Sequence, residues 1–328
     1  MFSKELTILV AICCCSVVLA EYTSYEGHKV YDIKAENPSQ QQLLQQLANN
    51  KAYDFFTLPR VLGLSTRVLV APAVQAEFEA TLNSSQVTYE IINENFGETV
   101  NTERAENNFY RSLRAKAQRS ISFSAYQRFA QIDAYLDELA TAYPMRVTLQ
   151  TIGKTYEERN MRTITISNGD GKPNKKVILL DAGIHAREWI APAGALYVIQ
   201  QLVENFAANA HLLENYDWVI LPVVNPDGYE YSHTRTRMWR KTRKPVTTHC
   251  AGTDGNRNFD FHWGEIGASS SSCADVFMGV TAFSEPETKA LRDLMLSLSG
   301  RAKFYLTLHS YGNYLLYPWG YTDQLPSN

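Results

Sequence analysis

The sequence predicts an α/β domain built on a mixed, mostly parallel sheet covered by helices, preceded by a small α+β open sandwich of βαββαβ order. Three observations carry this expectation. Beyond Ser120, apolar runs such as Val177-Ile178-Leu179-Leu180 and Val219-Ile220-Leu221 suit strands buried on both faces, and helical stretches separate them. Ahead of residue 95, shorter strand-like and helix-like stretches alternate on a tight pitch. The 328 residues are 45% hydrophobic and 20% charged, which gives enough apolar material for two packed domains and excludes a disordered or collagen-like chain.

The elements follow in order. His28–Lys34 alternates apolar and polar residues as a strand does, and Ser39–Asn49 places Leu and Gln at helical spacing. Ala52–Thr57 and Thr66–Val70 read as strands, Pro72–Leu82 as a helix opened by proline, and Val87–Asn93 as a further strand. Asn95–Gln118 is polar and free of proline, a helical connector ending in Arg111, Arg114, Lys116 and Arg119. In the second domain, strands are expected at Arg162–Ser167, Lys176–Ala182, Trp218–Val224 and Lys303–Leu308, with helices at Ala191–Ala207 and Glu285–Leu298.

The N-terminus sets the compartment. Lys4, the apolar run Leu6 to Leu19 and the small residues ending at Ala20 read as a secretory signal, so the mature protein is expected to be secreted and extracellular. The run is too short to span a bilayer with margin, and no membrane anchor is expected. Three of the five cysteines fall inside the signal; the remaining two, Cys250 and Cys273, are expected to form one disulfide in an oxidising compartment. Asn83-Ser84-Ser85 is a glycosylation sequon in the same context. With 31 basic against 34 acidic residues, no global field draws nucleic acid, which makes a nucleic-acid partner an unfavoured reading of the basic stretch Arg235–Lys244.

Polar clusters follow three of the strands, where open α/β sheets bind their ligands. They are Gly183-Ile184-His185-Ala186-Arg187-Glu188-Trp189, Asn225-Pro226-Asp227-Gly228-Tyr229 and His309-Ser310-Tyr311. His185 and Glu188, three apart on a turn entering a helix, can aim a ring nitrogen and a carboxylate at one point, and His309 arrives from another strand end. A His₂Glu set with an open fourth position is the pattern of a catalytic zinc. A bare His-x-x-Glu also suits a helix-start surface pair. Asn256 and Arg257, read as buried neighbours, offer an amide and a planar guanidinium suited to a carboxylate.

Together His185-Ala-Arg-Glu188-Trp, Asn225-Pro-Asp-Gly, Trp239-Arg240-Lys-Thr-Arg, Asn256-Arg257-Asn and His309-Ser-Tyr311 resemble, in this order, the zinc metallocarboxypeptidases of the pancreatic carboxypeptidase A/B family. The resemblance runs from about Tyr25 to the end of the chain. It implies one Zn²⁺ per chain on His185, Glu188 and His309, and a substrate carboxylate held by Asn256 and Arg257. Arg240 would polarise the scissile carbonyl, Tyr311 would line the subsite before the cut, and Arg187 a more distant one. Asp254 would accept the other ring proton of His185. The organisation it implies is a signal peptide (1–20), an activation prodomain (21–94), a helical connector with basic cleavage sites (95–119) and a catalytic domain (120–328). The expected partners are peptide or protein C-termini as substrate and a trypsin-like activating protease, and the protein is expected to act as a monomer.

One departure shapes the functional expectation. The family's general-base glutamate and its mobile tyrosine lie well downstream of the His-Ser-Tyr motif, and neither falls within these 328 residues. Without a base the proton-transfer step loses roughly 10² to 10⁴ in rate. The catalytic sheet is therefore expected to be incomplete at the C-terminus and the chain itself inactive. The alternative is a non-catalytic protein that binds zinc and peptide C-termini.

Overall fold

The computed structural model describes residues 22–48, 50, 52–57, 62–117, 121–322 and 324–327. The expected signal, Met1–Ala20, lies outside the described residues, as do Arg119 and the side chains of Arg114 and Lys116 in the connector.

The first domain has the expected order: β1 Lys29–Lys34, α1 Pro38–Leu47, β2 Tyr53–Phe55, β3 Ser65–Val70, α2 Gln75–Ser84 and β4 Thr88–Asn93. Its strands form an antiparallel sheet in the order β2-β3-β1-β4. Period-two alternation explains why both faces are used. Tyr31, Ile33, Val68 and Val70 point one way and pack with Leu44, Phe78 and Leu82 of the two helices. Val30 and Leu69 point the other way and meet Tyr25, Val100 and Met238. Met238 belongs to the second domain, so this outer sheet face is part of the docking surface. Asn37 caps α1, its side chain accepting the Gln40 backbone N–H at 3.0 Å. The connector is one long helix, α3 Phe96–Ala117.

The second domain contains α4 Phe129–Ala142, β5 Val147–Lys154, β6 Asn160–Ile166, β7 Lys176–Ala182, α5 Ile190–Val203, α6 Phe206–Asn209, β8 Tyr216–Leu221, α7 Pro226–Thr234, α8 Pro286–Ser297 and β9 Ala302–Leu308. The sheet runs β5-β6-β8-β7-β9. Here one expectation changes. β8, β7 and β9 are parallel, but β5–β6 and β6–β8 are antiparallel, so the described sheet is evenly mixed instead of mostly parallel. Thr155–Arg159 explains the difference at the β5 edge, because a connection this short makes a hairpin and cannot make a crossover. The single helix expected at Ala191–Ala207 is also broken into α5 and α6.

Helices cover both faces of the central strands. Leu180, Ala182, Ile164 and Ile220 pack with α4 and α5, whereas Val177, Leu179, Val219 and Leu221 pack with Ala290, Leu291 and Leu294 of α8. That is why the β7 and β8 sequences read as unbroken apolar runs. Among the described residues, no helix is long and apolar enough to cross a membrane.

Candidate active site

β7 delivers the first two site residues through a forced turn. Gly183 adopts φ +68°, and a Cβ there would sit 2.9 Å from Pro192 Cγ, so the position suits glycine both by conformation and by space. The loop that follows is tied down where Ala186 N–H donates to Arg240 O at 3.0 Å. His185 is thereby placed at 3% exposure.

The ring of His185 is fixed from both sides. Its Nε2 lies 3.0 Å from Asp254 Oδ1 and its Nδ1 lies 2.8 Å from Glu188 Oε1. Asp254 Oδ2 accepts Arg240 Nε and Nη2 at 3.1 and 2.9 Å, while Oδ1 also accepts the Asn256 backbone N–H at 2.9 Å. Burial alone would raise the Asp254 carboxyl, but Arg240, His185 and Arg257 outweigh it and hold the group well below the usual carboxylate range. An ionised Asp254 accepts only, so it would keep the His185 proton on Nε2 and leave Nδ1 for a metal shared with Glu188.

His309, at the end of β9, completes the set. Its Nδ1 lies 3.0 Å from His185 Nδ1 and 3.0 Å from Glu188 Oε2, and the three ligating atoms fall within 4.8 Å of one another. Ser310 N–H donates to Glu188 Oε2 at 3.2 Å and holds the carboxylate. Burial acts to raise Glu188, yet the two histidines prevail and hold it below the ordinary range. Two imidazole nitrogens and a carboxylate directed at one point fit a divalent zinc with an open fourth position.

The other expected residues are placed less uniformly. Arg240 stands beside this set, its Nη1 3.7 Å from Glu188 Oε1. Asn256 and Arg257 were expected to be buried, but Asn256 is exposed and Arg257 half-buried. They occupy a single surface turn, Gly255–Arg257, capped by Asp254. Arg257 spends Nε on Gly267 O at 2.7 Å and Nη1 on Asn256 O at 2.8 Å. The expected disulfide links Cys250 to Cys273 with Cα atoms 5.1 Å apart and encloses this turn.

Arg187 and Tyr311 face the first domain. Arg187 Nη1 donates to Asp54 Oδ1 and Oδ2 at 2.9 and 3.1 Å, and to Met238 O at 3.2 Å. The Tyr311 ring meets the Phe56 ring at 6.2 Å and carries the Arg67 guanidinium 4.9 Å from its centroid. Asp54, Phe56 and Arg67 escaped the sequence reasoning. A signal existed for Asp54: it stands between Tyr53 and Phe55, whose burial in the first domain forces the intervening side chain to the opposite face.

The basic stretch Arg235–Lys244 is engaged internally. Arg237 donates to Glu103 at 2.6 and 3.1 Å, and Arg243 lies 3.6 Å from the Tyr231 ring centroid. Lys241 and Lys244 donate to the carbonyls of Ser272 and Ser284, each at 2.8 Å.

Comparison with known proteins agrees with this geometry. A family model for zinc carboxypeptidases matches residues 132–328, and one for the carboxypeptidase activation peptide matches residues 31–103. The chain is 39% identical to zinc carboxypeptidase A 1 of Drosophila melanogaster over 98% of its length and 74% of that protein. It is 38% identical to carboxypeptidase B of Helicoverpa zea, covering 98% of this chain and 76% of that one. The crystal structure of a carboxypeptidase A from Helicoverpa armigera superposes with a TM-score of 0.79 at 35% identity, over 88% of this chain and 71% of that one. The match over more than half of the chain, with relatives at this identity, shows that it belongs to the zinc carboxypeptidase family and carries that family's activation peptide ahead of the catalytic domain.

Proposed function

We propose that this protein is a secreted zymogen of a zinc-dependent exopeptidase that removes C-terminal amino acids from peptides and proteins. The observation that carries the proposal is the convergence of His185, Glu188 and His309 within 4.8 Å, with Arg240 beside them. In this reading the signal covers 1–20, the prodomain 21–94, the connector 95–119 and the catalytic domain 120–328. A trypsin-like protease activates it by cutting after Arg114, Lys116 or Arg119.

Each residue has a chemical task. Zinc at the triad supplies Lewis-acid polarisation and lowers the pKa of water. Asp254 keeps the His185 proton on Nε2 and so keeps Nδ1 available as a ligand. Arg240 offers N–H donors to the scissile carbonyl oxygen as negative charge develops there. Asn256 and Arg257 take the terminal carboxylate, which only a chain end provides, and Tyr311 and Arg187 line subsites further along the peptide. Until activation the prodomain occupies those two side chains through Asp54, Phe56 and Arg67.

A specific observation favours a second reading. The two carboxylates in contact with the ligand histidines, Glu188 and Asp254, are both fully engaged, so neither is available to shuttle a proton. On that ground these residues bind zinc and a peptide C-terminus but turn over little. One experiment separates the readings: the activated chain is incubated with a peptide bearing a free C-terminus and with its amidated twin, with and without chelator. Chelator-sensitive release from the free peptide alone supports the exopeptidase. Zinc-dependent binding of the free peptide without release supports the binder, and indifference to the C-terminus sinks both.

A further inference from the structure

Outside the metal set, the connector helix α3 and the catalytic domain enclose a cavity of about 200 Å³. Its charged wall is unbalanced. Arg104 and Arg111 come from α3, and Arg128 and Arg237 from the catalytic domain. Two of the four have carboxylate partners: Arg237 pairs with Glu103, and Arg128 with Glu230. The other two have none among the described residues. Arg104 lies over the Tyr22 ring, 4.6 Å from its centroid. Arg111 donates to Tyr126 O at 3.0 and 2.6 Å and to Asn108 Oδ1 at 3.4 Å, neutral acceptors both.

A second feature of the wall points the same way. His233, stacked on Trp189 with ring centroids 3.8 Å apart, has a buried Nε2 without a hydrogen-bond partner. Burial and then the charges of Arg111, Arg128 and Arg237 push its pKa well below the usual value, and burial followed by Arg111 pushes Arg128 down. The groups therefore feel one another's positive charge in a partly desolvated space. An anion there would relieve this repulsion and accept from N–H groups that Arg104 and Arg111 have not used.

We propose that this cavity is a binding site for a small tetrahedral oxyanion of the phosphate class, which bridges the connector helix to the catalytic domain. The volume accommodates such an ion with some of its water. Because Arg104 and Arg111 sit on α3, departure of the prodomain dismantles the site. By linkage, a ligand of the docked form alone stabilises docking. The ion is thus a latch on the zymogen, distinct from the Asp54–Arg187 contact on β2.

The test is calorimetric titration of the uncut full chain with inorganic phosphate, ionic strength being held constant with sodium chloride. Saturable binding at one site per chain is expected, weakened about tenfold by Arg104→Gln, a change on an exposed side chain with no hydrogen bond to another described residue. Arg111→Lys, which keeps the charge but loses the fork, is expected to weaken it as well. Arg292→Gln, on α8 and paired to Asp293, is expected to leave it unchanged. Arg257→Gln guards against phosphate captured at the peptide-carboxylate site and is also expected to have no effect. Absence of saturable binding overturns the proposal. So does binding that survives both connector variants, or that disappears with Arg257→Gln.

Discussion

β7 and β9 run side by side in parallel, and each leads into one histidine of the metal set, yet the two strands live in different surroundings. Val177, Leu179, Leu180 and Ala182 of β7 are at most 1% exposed, between α5 on one face and α8 on the other. Among the described residues β9 pairs only with β7, and its Phe304 is 57% exposed. Leu306 and Leu308 pack against the core on one face only, and polar contacts add to this hold: Tyr305 and Thr307 hydroxyls donate to the two oxygens of Asp181 on β7, at 2.5 and 2.7 Å. One half of the candidate metal site stands on a strand covered on both faces, the other on the strand at the edge of the described sheet. Loss of a ligand should therefore have the same effect on metal from either strand, but different effects on stability.

The largest expected effect is on metal. His185→Ala and His309→Ala should each lower bound zinc at least tenfold against a competing chelator, since two remaining ligands hold zinc poorly. The comparison predicts where they diverge. His185→Ala removes a buried partner of Asp254 and should cost about 1–3 kcal/mol in the metal-free protein, whereas His309→Ala should leave the metal-free melting temperature near wild type. Metal analysis and metal-free melting curves check both. Equal destabilisation would show that β9 is held as firmly as β7.

Packing provides the next test. Leu180→Ala on β7 should cost about 2–5 kcal/mol in chemical denaturation, the range for a large-to-small change at a fully packed position. A cost below about 1 kcal/mol would mean that the face under α5 collapses easily, and the contrast between the strands would lose its basis.

How legible these regions were depends on how local their signals are. The β7 run and its glycine turn announce themselves, because burial on both faces leaves an unbroken apolar string. The βαββαβ order was equally readable from alternation and from turn residues. β5 escaped notice since Val147–Lys154 is largely exposed and polar positions interrupt it. α7 was read only as a polar cluster after a strand, although its helical start is written in Asn225-Pro226: the asparagine side chain accepts the Gly228 N–H at 2.9 Å and the proline fills the first turn. The candidate metal triad was legible through its strand-end placement and motif order. The Asp54–Arg187 pair was not, because nothing local in either segment encodes a contact across two domains.

Burial is not stabilising everywhere, and α8 shows it. Glu287, 1% exposed, has both carboxylate oxygens buried without a hydrogen-bond partner, and burial raises its pKa to about 8, with Glu285 and Asp227 adding to the rise. The unfolded chain releases this proton near the ordinary carboxyl value while the folded one keeps it to about 8. Between those values the unfolded state binds fewer protons, so stability falls as pH rises, by on the order of a few kcal/mol in total. Glu287→Gln should flatten that fall. The check is the melting temperature of both proteins from pH 5 to pH 8.5: the curves should separate toward high pH, the variant above. Parallel curves would mean that the carboxyl finds a partner in solution.

The smallest expected effect is at the exposed edge. Phe304 pairs in register with Ile178 of β7, but its ring lies largely in solvent, so its removal forfeits little apolar burial and opens no cavity. Phe304→Ala should change stability by no more than about 0.5 kcal/mol. Zinc content should be unaffected as well, since the Asp181 contacts that hold β9 come from Tyr305 and Thr307 and remain in place. Denaturant midpoints and metal analysis of the same preparation measure the two quantities together. A loss near 2 kcal/mol would reveal that this face of β9 is covered in solution, by a second copy or by further polypeptide. His309 would then stand on a strand as well supported as the one that leads to His185.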